Sequence, residues 1–226
     1  MVLRNSSGGS LKVRRRRNIS LPACVLLFGE SDNDQEALRH LMRALRPDLP
    51  KVEKRRRPLV LVRGRRQADA NENVTKIADV VRAESARHDV KLVIAHQDCD
   101  DVEPAHELLA SQIEEAFAKL GINSIAAAPA FEIEAWWYLW PEAVMKVNRN
   151  WRHPNRSGQE VGKLEDVKER LRRELRPRTG ARTRDYYESD SPKIASIIRE
   201  DNLVDRQEAI SHSFTAFSRK LRTAVL

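Results

Sequence analysis

Four short apolar runs alternate with amphipathic stretches over the first 130 residues. Pro22 to Phe28 (PACVLLF) ends in GESDND, and Gln35 to Leu45 follows with Leu38, Leu41, Met42 and Leu45 at helical spacing, closed by Pro47 and Pro50. A second run, Leu59 to Val62, ends at Arg63–Gly64; Val74 to Ala86 then lines up Val74, Ile77, Ala78 and Val81 on one helical face. The third run, Val90 to Ala95, ends in HQDCDD and leads to a helix over about Pro104 to Leu120, with proline in its first turn and Gly121 beyond it. Ile122 to Ala128 is the fourth run. Short apolar strands separated by helices predict an α/β fold: a four-stranded parallel sheet with helices on both faces and right-handed crossovers.

The rhythm changes after residue 130. FEIEAWWYLW reads as a short helix stopped by Pro141, and the stretch from Asn148 to Gln159 is charged and turn-rich. Helices are expected at about Lys163 to Leu175, Pro192 to Arg199 and Arg206 to Leu221. The division is thus a basic tail over 1–20, an α/β core over 21–130, and a helical C-terminal extension over 131–226, packed on the sheet or beside it.

Composition adds a partner. The 41 Lys and Arg exceed the 33 Asp and Glu, for a net charge of +8, which favours polyanions. Much of that excess is local, in Arg14 to Arg17 and in Lys54, Arg55, Arg56 and Arg57, followed by Arg63, Arg65 and Arg66. Such blocks are either solvated loops or phosphate contacts. Cys24 and Cys99 have no CxxC partner, which argues against structural zinc. No apolar segment is long enough to span a bilayer and the first 20 residues have no apolar signal core, so a soluble, cytoplasmic protein is expected.

Acidic residues crowd the strand ends of this basic chain. Strand one runs into Glu30, Asp32 and Asp34; strand three into His96, Asp98, Asp100, Asp101 and Glu103; strand four into Glu132 and Glu134. In open parallel sheets that edge holds the ligand. Residues two apart on an extended segment share a side, so Asp98 and Asp100 are expected to aim at one point, where clustered carboxylates suit Mg²⁺ or Mn²⁺. Asp34, Asp101 and Glu103 also suit a second role, capping the helices that follow. Only one of Glu132 and Glu134 can face the cluster from a helix, and Glu134 is preferred. Trp136, Trp137, Tyr138 and Trp140 read as a core seam with base stacking as the rival, whereas Trp151, in NRNWRHPNR, is the candidate for an exposed contact. His96 is a possible base or ligand beside the cluster, and Lys193 and Arg184 are candidates for phosphate in the extension.

These residues carry a family resemblance. AHQDCDD matches the DxD strand end of the Toprim domain found in topoisomerases, primases and overcoming-lysogenization-defect nucleases, and FGESDND resembles its glycine-containing turn. PAFEIEAWWYLWPEAV looks like the E-x-E-A-W segment of small Toprim-related proteins of the DUF4276 type, and Asp185–Tyr186–Tyr187, SPKIASII and SHSFTAFSRKL are similar to that group's tail. The family's catalytic glutamate directly precedes the turn glycine, where this chain has Phe28 before Gly29. Either Glu30 takes that role or the site is altered or inactive. The resemblance implies a Toprim-like sheet and a Mg²⁺- or Mn²⁺-dependent nuclease or phosphoryl-transfer activity on DNA or RNA. Asp98, Asp100 and Glu30 would hold the metal, with Glu134 in the catalytic set. Arg55, Arg56, Arg57, Arg65, Arg66 and Lys193 would contact nucleic acid. It further implies a partner ATPase in bacterial or phage defence. A non-catalytic adaptor binding nucleic acid or that ATPase is the alternative, and self-association is left open.

Overall fold

The computed structural model describes residues 20–56, 60–63, 66–177 and 184–226. The core runs β1 (Ala23–Gly29), α1 (Asp32–Leu45), β2 (Lys51–Arg56), α2 (Gln67–Ser85), β3 (Asp89–His96), α3 (Ala105–Ala118) and β4 (Ser124–Ala127). Every strand pair is parallel, in the order β2-β1-β3-β4. The chain therefore steps from β1 outward to β2, then crosses back to β3 on the other side of β1. That reversal opens a crevice between the carboxyl ends of β1 and β3.

Strand β1 is buried on both faces, which is why it reads as a continuous apolar run. Val25 and Leu27 join α1 in one apolar cluster, while Cys24, Leu26 and Phe28 join α2 and α3 in the other. Each such side chain contributes roughly 1.5–3 kcal/mol on burial. The same alternation along β3 sends Leu92 and Ile94 to the α1 side and Val93 and Ala95 to the α2/α3 side.

The second strand is not where the apolar pattern puts it. Strand β2 is Lys51–Arg56 (KVEKRR), an edge strand in which Val52 alone is buried. Edge strands carry charge because bare edges invite pairing with other chains, so an apolar search passes over them. The run expected there still has a buried part. Gln97 Oε1 accepts the Leu61 and Val62 amides at 2.8 and 3.0 Å, and its Nε2 donates to Val62 O at 2.9 Å. On the other side, Asn73 Nδ2 donates to Val60 O at 2.8 Å. Residues 60–62 form a braced wall above the sheet edge.

Beyond β4 come α4 (Glu134–Trp137), α5 (Pro141–Val147), a 3-10 turn (Val161–Lys163), α6 (Val167–Leu175), α7 (Ser191–Glu200) and α8 (His212–Thr223). Their apolar faces share one cluster with Val25, Leu27, Leu92 and Ile94, and α7 lies along α1. Pro141 opens α5 at its first turn, where a missing N–H costs nothing. Trp136, Trp137, Tyr138 and Trp140 are buried; Trp136 and Trp140 meet Phe214 edge-on at 5.3 and 4.9 Å. Trp151 is buried too, at 3% exposure, against the expectation of an exposed contact. Its Nε1 donates to Arg184 O at 2.8 Å and the Arg184 guanidinium covers its ring. No helix among the described residues is long and apolar enough to cross a membrane.

Three acidic residues expected to cap helices do something else. The cap of α1 is Ser31, which accepts the Asp34 amide at 3.1 Å and donates its hydroxyl to Asp34 Oδ2 at 2.6 Å. Asp101 accepts its neighbour's amide, Val102 N, at 2.8 Å. Glu103 leaves α3 uncapped by any side chain and instead caps α8. Its carboxylate accepts Ser213 N at 2.8 Å, and His212 N and Ser211 Oγ each at 3.1 Å. Helix α8 accordingly starts at His212 and not near Arg206. Gly162 lies against this carboxylate, its carbonyl accepting Glu103 N at 2.8 Å, and a Cβ there would overlap the carboxyl group. Charge-assisted bonds to buried groups are each worth about 1.5–3 kcal/mol. Glu103→Ala is therefore expected to lower stability by about 3 kcal/mol or more in urea unfolding, and Gly162→Ala to be destabilising with Glu103 left intact.

Candidate active site

The turn after β1 is tight because of one amide. Gln35 Nε2 donates to Gly29 O and Arg55 O, both at 3.1 Å, tying the carboxyl ends of β1 and β2 together. A Cβ at residue 29 would stand 2.6 Å from Gln35 Cγ, so glycine is required there by close approach. Glu30 follows on the exposed rim, and with Ser31, Asp32, Gln35 and Arg56 it lines a recess of about 310 Å³. Phe28 is buried among the α2/α3 apolar groups and offers nothing to the crevice.

At the end of β3 the alternation continues. Gln97 and Cys99 belong to the α2/α3 side, bonded to residues 61–62 or packed on that core, and His96 and Asp98 belong to the other. His96 is fully buried, with Nε2 3.2 Å from Asp98 Oδ1. The contact is out of line for a hydrogen bond, and among the described residues neither ring nitrogen of His96 nor Asp98 Oδ1 has another partner. Burial pushes the Asp98 carboxyl upward, the Asp34 and Glu30 carboxylates push the same way, and His96 opposes them. Burial acts to lower the imidazole, but Asp98, Asp34 and Glu30 together outweigh it and His96 is raised. The pair holds a proton more firmly than a solvated group of either kind. Glu30, Asp34, Asp98 and His96 thus feel one another across the crevice between β1 and β3.

Glu134 lies beneath this group, in the first turn of α4. It is buried and accepts the Tyr186 hydroxyl at 3.1 Å; that hydroxyl also meets Ser191 Oγ at 2.7 Å, which accepts Trp137 Nε1 at 2.9 Å. Burial, then the Glu132 and Asp98 carboxylates, push Glu134 up to about 8. Glu132 faces outward to Lys168 at 2.7 Å, and Lys168 also reaches Glu188 at 2.9 Å.

Asp100 departs from the expected geometry. Strand β3 ends at His96, and Asp100 has φ +52°, which breaks the two-residue alternation that would set it beside Asp98. Its amide donates to Phe131 O at 3.1 Å, while Phe131 (φ +54°) returns its own amide to Asp101 O at 2.9 Å. Asp100 lines a recess of about 290 Å³ with Phe131, Glu132, Asp166 and Lys168. Among the described residues no group of three or more His, Cys, Asp or Glu is placed to hold a metal ion. Glu30, Asp98 and Asp100 do not fit one ion in this conformation.

The basic candidates separate. Arg56 is exposed on the Glu30 recess. Arg55 turns to Glu84, both Nε and Nη2 donating to Oε1 at 3.0 and 2.7 Å. Arg66 pairs with Asp69 in the first turn of α2, and Lys193 is exposed in the first turn of α7. Arg184 is committed to Asp190 through two bonds of 2.6 Å. Arg57 and Arg65 lie outside the described residues. Sequence reasoning gave no role to Gln35 or Gln97, whose amides shape the edge; a glutamine just past a strand or inside an apolar helix face is the available signal.

Comparison with protein-family models, with curated proteins and with solved structures finds no match.

Glu134 gives the clearest pH signature. A carboxyl raised from 4.5 to about 8 on folding stabilises the fold fully below pH 4.5, and that stability is lost as pH rises through about 8. The loss through this one group is on the order of a few kcal/mol. Glu134→Gln keeps an acceptor for Tyr186 without the ionisation. Urea unfolding at pH 5 and pH 8.5 is expected to show a smaller decline in the variant; parallel declines would contradict the buried-acid description.

Proposed function

We propose that this chain is a divergent Toprim-like nuclease or phosphoryl-transfer protein acting on DNA or RNA, with its working groups at the crevice between β1 and β3. The observation that supports this reading is the gathering of Glu30, Asp34, Asp98 and buried His96 where the strand order reverses, the place where open parallel sheets bind their ligands. A buried acid perturbed by desolvation and by named charge partners in a cleft is a functional-site candidate. Asp98 is one-fifth exposed, with Oδ1 turned to His96. In this reading the imidazole orients the carboxyl, and Asp98 accepts or returns a proton at the reacting phosphate. Arg56 holds a phosphate oxygen at the rim, with Arg66 and Lys193 as outlying contacts. Glu30 would offer a hard oxygen donor to Mg²⁺ or Mn²⁺, and Asp98 would do so only while it is not carrying the proton. Asp100 would have to move to complete a set with them.

A second reading, a non-catalytic adaptor for nucleic acid or an ATPase partner, is favoured by two observations. Phe28, at the position of the family's glutamate, is core, and no three-ligand group stands ready among the described residues.

Incubation of single-stranded DNA, plasmid and RNA with the protein in Mg²⁺ or Mn²⁺ separates the two. Cleavage that needs the added ion and falls about 100-fold or more in Asp98→Asn is the expected result. Retained nucleic-acid binding with no turnover in either ion would transfer the protein to the adaptor reading.

A further inference from the structure

A pocket of about 380 Å³ opens on the α2/α3 side of the same sheet edge, between the 60–63 segment and the first turns of α3. That volume is at the lower end of small-ligand sites, which run from about 300 to 1,000 Å³. Its walls are mixed: aliphatic Val60 and Val62 on one side and Ala105 and Leu109 on the other, with Gln97, Gln112 and Asp101 also in the lining. Arg63 and Asp100 stand exposed at its mouth.

The wall is fixed before any ligand arrives. The Gln97 amide binds residues 61 and 62 through both its oxygen and its nitrogen, and Asn73 ties Val60 from the other side. Val60 is nevertheless more than one-third exposed, an apolar side chain held rigidly at the lip. Two facing aliphatic patches with polar side chains between them and at the rim suit a flat ring whose edge carries donors and acceptors. A carboxylate accepts from an exocyclic amine, and an arginine takes phosphate.

Position decides what that ring belongs to. Gln97 and Cys99 line the pocket, and Asp98, between them in sequence, faces the crevice on the other side of the edge. We propose that the pocket receives a single unpaired nucleobase, so that a strand crossing the sheet edge seats its base on the α2/α3 side and brings the adjoining phosphate over Asp98 and Glu30. Single-stranded nucleic acid is then the favoured substrate class, because a paired base must first be unpaired and unstacked, a cost that an unpaired base does not carry. The assignment of the phosphate to the crevice rests on the function proposed above; the base pocket itself does not.

Fluorescence anisotropy in EDTA, with a short labelled single strand and a duplex of the same sequence, tests it. Single-strand binding is expected to weaken about tenfold or more in Ala105→Phe, which fills the pocket. Arg63→Ser, an exposed change that cannot unfold the core, is expected to weaken binding several-fold and to reduce its salt dependence. Circular dichroism verifies that the filled variant is folded. Equal affinity of wild type and folded Ala105→Phe would overturn the proposal, as would duplex binding as tight as single-strand binding. Metal-dependent cleavage keeps the two proposals apart. If Ala105→Phe cleaves as wild type does, the pocket assignment fails and the active site stands. If Ala105→Phe loses EDTA binding while no substrate is ever cleaved, the pocket stands and the catalytic reading fails.

Discussion

The carboxylate of Glu103 is buried, and what it lost in water it regains from the first turn of α8. Ser211, His212 and Ser213 all donate to it, at the helix end where the macrodipole favours a negative charge. The same turn reaches further. Ser213 Oγ accepts Trp136 Nε1 at 3.1 Å and Ala130 N at 3.4 Å, and Gly162 closes over the carboxyl group from the other side. One charge thus joins the loop after β3, the loop after β4 and the C-terminal helix. Those two loops carry Asp98, Asp100, Glu132 and Glu134, so the geometry of the acidic edge depends on a group that takes no part in it.

That edge stores unfavourable terms which a purely structural site would avoid. Asp98 and His96 are packed together out of line for a hydrogen bond, with two further carboxylates in range. Asp100, Phe131 and Asp166 all adopt left-handed backbone and line one recess. For a phenylalanine this costs of order 1–3 kcal/mol, and such strain gathers where a ligand is handled. The reciprocal amide bonds between residues 100–101 and 131 show how it is held.

Strands β1 and β3 were legible because burial on both faces leaves an unbroken apolar run. Strand β2 was not, because an edge strand with one buried residue looks like a charged loop, while the apolar 59–62 run drew attention to a segment that only braces the edge. The candidate site was legible in part. The acids at the strand ends were legible as a group, and the reading that Glu132 and Glu134 cannot both face one site agrees with Glu134 being buried while Glu132 pairs with Lys168. Asp100 was misplaced because alternation holds only while the chain stays extended, and although aspartate tolerates left-handed backbone, nothing in DCDD says which of its aspartates adopts it. Glu103 was misread for a different reason: its partners lie more than 100 residues away, beyond any local capping rule.

The alternation along β3 divides the chemistry of the edge between two faces. Even-numbered residues, His96 and Asp98, look to the α1 side and its carboxylates. Gln97 and Cys99 look to the α2/α3 side and its pocket. A polyanion approaching the first face meets repulsion from Glu30, Asp34 and Asp98, and nothing there but charge could hold it. Arg56 is exposed on the Glu30 recess and Arg63 at the mouth of the pocket. If the ligand is the polyanion proposed above, a net charge of +8 would favour its approach and these arginines would meet it locally. Anchorage on the apolar side would let the phosphate be held against the acids by a contact that the repulsion does not weaken. On the proposed reading, a crowded acidic crevice and a braced pocket on one sheet edge would divide those two tasks between them.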